Sequence, residues 1–136
     1  DGRKMSKSYA NDLTISADPE ELRKKVNAMV TDPGRIRKTD PGNPEICVVH
    51  KYHGIYTAPE LSTIEEDCRQ GNIGCAACKK ILAGKLDETT SPIRERRQRI
   101  VQDPGYVDDV LREGARKARE EAQLTMEKAR EAVFGA

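Results

Sequence analysis

Tryptophan is missing from this chain, phenylalanine occurs once, and aromatic residues together make up 4% of its 136 positions. A core built on large rings is thereby excluded, and a nucleic-acid surface that worked mainly by stacking would have only Tyr52, Tyr56 and Tyr106 to draw on. Charge of one sign is missing too. The formal net charge is +1, so no global field marks a nucleic-acid partner, although cations are bunched locally. No apolar run is long enough to span a membrane and no signal-peptide pattern opens the chain, which gives the expectation of a protein without membrane association in the cytoplasm. The start, Asp-Gly-Arg-Lys-Met-Ser-Lys-Ser, has no initiator methionine, so a piece of something longer is expected.

What is present is a hydrophobic share of 36% under a charged share of 35%. Such a length and composition suit one ordinary domain with a thin core, and favour amphipathic helices over a sheet. No alternating strand pattern occurs. Asp18-Pro19-Glu20-Glu21 has the pattern of a helix start, with an acid at the cap and proline in the first turn, and that helix is expected to stop near Thr31. Pro44 and Ala58-Pro59-Glu60 open a second and a third, the latter ending at Gly71. A fourth begins near Gly74-Cys75 and breaks at Ser91-Pro92, where a fifth runs to Val101. A long final helix, from about Tyr106 to Val133, carries a stripe of small residues expected to lie close against its neighbours. The expected fold is all-α, a bundle of about five or six helices. Residues 1–17 form a leading loop and tail, and 18–136 the helical domain.

Between the first two helices, Thr-Asp-Pro-Gly occurs at 31–34 and again at 39–42. Two turns there would display Arg35, Arg37 and Lys38 in a cationic loop.

Disulfides are not expected in the cytoplasm, so Cys47, Cys68, Cys75 and Cys78 are left with metal binding or plain burial. If the second and third helices form a hairpin turning near Thr57-Ala58, Cys47 precedes the turn by about as much as Cys68 follows it. Their thiols then meet at the open end. Cys75 and Cys78, three apart, share the first turn of the next helix, whose N-terminus favours thiolates. Four sulfurs from three helix ends suit tetrahedral zinc or a 4Fe-4S iron–sulfur cluster. His50 and His53 are expected to pack or hydrogen-bond in the hairpin rather than to ligate.

Lys4-Met5-Ser6-Lys7-Ser8 remains. Two lysines on flexible stems beside two hydroxyls suit phosphates whose charge changes during a reaction. This pentapeptide is also the signature of class I aminoacyl-tRNA synthetases. With "DGRKMSKSYAND", "VTDPGRIRKTDPGNPEICVVHKYH", "CRQGNIGCAACKK", "SPIRERR" and "VLREGARKAREEA", the chain resembles over essentially its whole length the C-terminal part of the bacterial tryptophanyl-tRNA synthetases.

That resemblance implies an enzyme that activates tryptophan with ATP and magnesium and passes it to tRNA(Trp), acting as a homodimer. Lys7 would contact the ATP phosphates most directly, with Lys4 assisting, Met5 anchoring the loop, and Ser6 and Ser8 shaping it. The helical domain would bind the anticodon region. Arg35, Arg37, Lys38, Arg94, Arg96, Arg97 and Arg99 are the candidates for phosphate contact, and Arg69, Lys79 and Lys80 lie near the cysteines where bases would be read. The cysteine pattern is similar to that of a subset of these enzymes with a 4Fe-4S cluster, in which the first interval is slightly longer. The nucleotide-binding sheet and the tryptophan pocket are not in these residues, so the chain alone is expected to be inactive. Two other readings compete: a free-standing metal-binding helical module for nucleic acid, and a redox sensor using Cys75 and Cys78 as a dithiol.

Overall fold

The computed structural model describes residues 2–135. They form five helices, α1 (Pro19–Asn27), α2 (Val48–Tyr56), α3 (Leu61–Gln70), α4 (Cys75–Val101) and α5 (Pro104–Phe134), with 3-10 turns at Lys7–Tyr9, Pro44–Ile46 and Ala58–Glu60. No strand occurs among the described residues. The all-α expectation holds. The chain divides into two compact units, Asp1–Glu95 and Arg96–Ala136.

In the first unit, α1 starts as its sequence requires. The Asp18 carboxylate accepts from the Glu20 and Glu21 amides at 2.9 and 2.8 Å, and Pro19 fills the first turn, where no donor is needed. The backbone bond from Glu21 comes first among the influences that lower the Asp18 pKa. α1 ends a turn earlier than expected, with Ala28 as its C-cap and the Met29 amide closing back on Val26. Leu22 and Val26 face a core completed by Cys47, Val49, Leu82, Ala83 and Leu86. α1, the start of α2 and the first half of α4 thus share one apolar centre.

The α2–α3 hairpin turns where the sequence places it. Thr57 is 1% exposed and its amide caps α2 on the His53 carbonyl at 2.9 Å. Pro44 opens a 3-10 turn rather than the helix itself, and Cys47 stands in extended backbone between that turn and α2. Gly71 closes α3 at φ +73°, and a Cβ there would be driven into the Thr39 carbonyl. Gly71→Ala is therefore expected to lower stability by more than about 1 kcal/mol, the left-handed penalty alone, read as a fall in the urea midpoint at unchanged slope.

The expected break at Ser91-Pro92 does not occur; α4 runs through Pro92. Proline leaves the Glu88 carbonyl without its helical donor, and the Ser91 hydroxyl donates to that carbonyl at 3.4 Å. Arg94 spans the same turn, donating to the Asp87 carboxylate at 2.7 Å and to the Ala17 carbonyl at 3.1 Å. Ser91 thus repairs the helix interior instead of capping a new helix.

The second unit holds the end of α4 and α5. Asp103 caps α5 by accepting from the Tyr106 amide at 3.1 Å. No residue of α5 is buried, against the expectation drawn from its small-residue stripe, and Leu111 is 65% exposed. Alanines offer little apolar area to remove from water. The helix is laced along its side by ion pairs from Arg116 to Glu113 and Glu120 and from Lys117 to Glu113.

Candidate functional site

The signature segment is a hydrogen-bonded turn. The Ser6 amide donates to the Asn11 carboxamide oxygen at 2.8 Å, the Tyr9 and Ala10 amides close on the Ser6 and Lys7 carbonyls at 3.1 Å, and the Ser6 and Ser8 hydroxyls meet at 2.7 Å. The Arg3 guanidinium lies 4.6 Å from the Tyr9 ring centre. Lys4 and Lys7 are both exposed. Met5, 40% exposed, lines a cavity of about 330 Å³ with Leu13, Met29, Val48 and Tyr52. Lys25 adds a tie, donating to the Asp12 carbonyl at 2.7 Å.

Both Thr-Asp-Pro-Gly copies organise the next loop through their aspartates. Asp32 accepts from the Gly34 and Asn43 amides, each at 2.8 Å, and Asp40 from the Ile36 and Arg37 amides at 3.2 and 2.6 Å. Arg37 and Lys38 are exposed on it. Arg35 is turned inward. Its Nη2 donates to the Lys38 and Ile73 carbonyls at 2.7 and 2.6 Å, while Nη1 lies 3.7 Å from the Cys68 sulfur and 3.9 Å from that of Cys75. Gly42 passes so close that a Cβ would stand 2.7 Å from the Cys68 sulfur, and its amide donates to the Cys68 carbonyl at 2.9 Å.

The four thiols are gathered into one electrostatic neighbourhood. Burial, then the charges of Cys47, Cys68 and Cys75, push the Cys78 thiol up to about 12, and burial likewise raises Cys68. The sulfurs of Cys68 and Cys75 can be no further apart than the two short legs that join them through Arg35. Among the described residues, however, no three His, Cys, Asp or Glu side chains stand in the arrangement of a formed metal site. Arg35 occupies the space beside Cys68 and Cys75, and Cys78 is turned to His53.

Burial comes first among the causes that raise Cys78, although it stands in the first turn of α4. A dithiol sensor needs the opposite, an exposed thiol of depressed pKa. In residue type, though not in arrangement, four cysteines suit zinc or iron–sulfur chemistry.

His53 is fully buried, and burial holds its ring below the ordinary imidazole range. The Thr57 hydroxyl donates to the His53 carbonyl at 3.0 Å, so it must accept from His53 Nδ1 at 2.7 Å. Nε2 stands 3.2 Å from the Cys78 sulfur and 3.3 Å from the Cys78 carbonyl oxygen, which can only accept, so both ring nitrogens face an acceptor. His50 Nε2 stands 2.8 Å from the Glu65 carboxylate, but off a hydrogen-bond axis. The signal for the His53 arrangement was present in the sequence as a histidine and a threonine four apart at the end of α2.

The remaining cations divide in the same way. Arg69 pairs with Glu45 at 3.0 Å, Lys79 donates to the Asn27 carbonyl at 2.7 Å, and Arg94 is held by Asp87 and Ala17 as described. Lys80 is exposed in the first unit, and Arg96, Arg97 and Arg99 are exposed in the second.

A lysine-and-serine turn, a cationic loop and a thiol cluster in an all-helical chain invite comparison with known proteins. The chain is 51% identical over 135 residues to tryptophan–tRNA ligase of Aquifex aeolicus, covering 98% of this chain and 34% of that protein. It is 46% identical over 135 residues to the ligase of Thermotoga maritima, covering 98% and 41%. The chain thus spans roughly a third to two fifths of the length of these relatives. In three dimensions it resembles the crystal structure of tryptophanyl-tRNA synthetase from Campylobacter jejuni complexed with ADP and tryptophan. The TM-score is 0.86 at 28% identity, over 98% of this chain and 41% of that one. Residues 1–91, signature turn and all four cysteines included, match the family model of the class I tRNA synthetases for tryptophan and tyrosine, and the chain belongs to that family.

Proposed function

We propose that this chain is the C-terminal portion of a tryptophan–tRNA ligase, a homodimeric cytoplasmic enzyme that activates tryptophan with ATP and magnesium and transfers it to tRNA(Trp). The observation that carries the reading is the identity to named ligases over 98% of the chain, starting at the signature turn. Tryptophan's carboxylate attacks the α-phosphate of ATP and pyrophosphate leaves. The ammonium groups of Lys7 and Lys4 stabilise charge on the departing group, acting electrostatically and not as nucleophiles. Met5 would anchor the loop, and Ser6 and Ser8 shape it, their hydroxyls meeting at 2.7 Å.

In this reading the helical domain binds the anticodon region of tRNA(Trp). Arg37 and Lys38 on the loop, Lys80, and separately Arg96, Arg97 and Arg99 are free in space to meet phosphates. Arg35, Arg94, Arg69 and Lys79 hold the domain's own carbonyls, carboxylates or sulfurs. Cys47, Cys68, Cys75 and Cys78 would hold a 4Fe-4S cluster or zinc. The chemistry the metal supplies is structural, fixing the ends of α2, α3 and α4 beside the loop.

Binding of a tRNA(Trp) transcript to this chain, followed over a salt series, tests the reading. Arg37→Ala and Lys38→Ala are each expected to weaken binding and to lower the slope of log affinity against log salt by about 0.7 to 0.9. An unrelated tRNA bound equally well would overturn it. The same chain is expected to show only background tryptophan-dependent ATP–pyrophosphate exchange, since no strand of a nucleotide-binding sheet lies among its described residues.

A further inference from the structure

Between the cationic loop and the first turn of α4 lies an open cleft of about 490 Å³, within the range of roughly 300–1,000 Å³ that takes small ligands. The loop supplies Arg35, Ile36, Arg37 and Lys38 to its lining, and α4 supplies Ala76 and Ala77. Among the described residues no carboxylate lines it.

The charge of this cleft is built in. Arg35 is half-buried, and its Nη2 is held on the Lys38 and Ile73 carbonyls at 2.7 and 2.6 Å, which fixes one cation in the lining. Its Nε is buried and finds no acceptor among the described residues. Lys38 is laid in place by a glycine. A Cβ on Gly74 would stand 2.9, 3.6 and 3.7 Å from the Lys38 Cγ, Cδ and Cε, so the stem runs along bare backbone. Cations gathered with no acid beside them call for an anion.

The cleft is also apolar in one place. Ile36 is 90% exposed, more than any other large apolar side chain among the described residues, so it does not serve the core. With Ala76 and Ala77 it offers a small aliphatic surface beside the cations. A duplex would bring phosphates here but no free base face, whereas an unpaired nucleotide brings both. Tyr52, Tyr56 and Tyr106 do not line the cleft, and Arg69 and Lys79 are occupied by Glu45 and the Asn27 carbonyl. A base bound here would therefore be met by aliphatic contact.

We propose that this cleft is a subsite for one unpaired nucleotide of an RNA strand: the base lies against Ile36, Ala76 and Ala77, and the flanking phosphates meet Arg37 and Lys38. This rests on the RNA-binding reading above and adds a position at which a base, and not only the backbone, is felt.

The test is a mutant cycle between this chain and an RNA hairpin made of the anticodon stem and loop of tRNA(Trp). Each loop nucleotide in turn is replaced by an abasic one, which keeps the phosphates and removes the base. The wild type is expected to lose about three- to tenfold in affinity at one loop position and little elsewhere. Ile36→Ser should bind the intact hairpin more weakly by the same factor and lose nothing further at that position. Its slope of log affinity against log salt should match the wild type, since no phosphate contact is removed. Ala77→Leu, which fills the cleft with a good helix former, should behave likewise. Ile36 and Ala77 are both exposed, so both variants are expected to fold.

Abasic hairpins that all bind like the intact one overturn the proposal, as does an abasic penalty of the same size in Ile36→Ser. An Ile36→Ser chain that loses equally on a blunt duplex of the stem would make Ile36 a general contact, and also overturns it. If the wild type shows no salt-dependent binding of the intact hairpin, the RNA-binding reading itself falls. A salt slope that survives without any abasic penalty strikes only the cleft.

Discussion

In a full-length synthetase carrying this chain, Lys7→Ala is expected to lower tryptophan-dependent ATP–pyrophosphate exchange by about 10²- to 10³-fold, the usual cost of removing one preorganised charge-stabilising group. The structure isolates the cause. The turn is held by backbone and serine contacts, the Ala10 amide on the Lys7 carbonyl and the Ser6 amide on Asn11 among them. Truncating the exposed Lys7 side chain removes an ammonium and leaves those bonds in place. The loss should fall on kcat, with KM for tryptophan little changed, if the ammonium acts on the phosphates as proposed. Lys4→Ala should show a smaller loss of the same kind. A Lys7→Ala enzyme within tenfold of the wild type would remove Lys7 from the role given to it.

The second large effect is on stability. Leu82 is 0% exposed and sits one turn beyond Cys78 on α4, against Leu22, Val26 and Val49. Leu82→Ala is expected to cost about 3 to 5 kcal/mol, the range for deleting a fully buried leucine where the surroundings cannot collapse. Small domains have only about 5 to 15 kcal/mol to lose. With a core this thin, the substitution should bring the urea midpoint close to zero and scatter the thiols with it. Leu111→Ala on α5, where the side chain is 65% exposed, should change stability by less than about 0.5 kcal/mol. A comparable loss from both would mean that α5 buries its stripe after all.

How far the sequence could be read follows from the range of the forces involved. Asp18, Pro19 and Gly71 act on their own backbone within a turn, so the start of α1 and the end of α3 are legible locally. So is the hairpin at Thr57, and with it the gathering of Cys47 and Cys68. The continuous α4 was not legible in this way. Proline argues for a break, and the argument fails only because Ser91 supplies a donor to the Glu88 carbonyl while Arg94 braces the turn from Asp87 to Ala17.

In the candidate site, residue types and spacing pick out the thiols and the cations, but not which cations are spent. Arg35 and Arg37 look alike as letters. One is folded onto Cys68 and Cys75, and the other is exposed. The rise of the Cys78 pKa is also a property of assembly, since burial and three neighbouring thiols exist only in the folded chain.

The claim on which the rest of the site depends is that four thiols on three helix ends form one soft-metal centre. Its most direct measurement is metal and sulfide analysis of anaerobically purified protein, read together with the visible spectrum. The predicted result is a single centre per chain, either brown with iron and sulfide or colourless with zinc, that is lost in Cys78→Ser. Neither metal in the purified protein, with all four thiols open to alkylation in the native state, would contradict it.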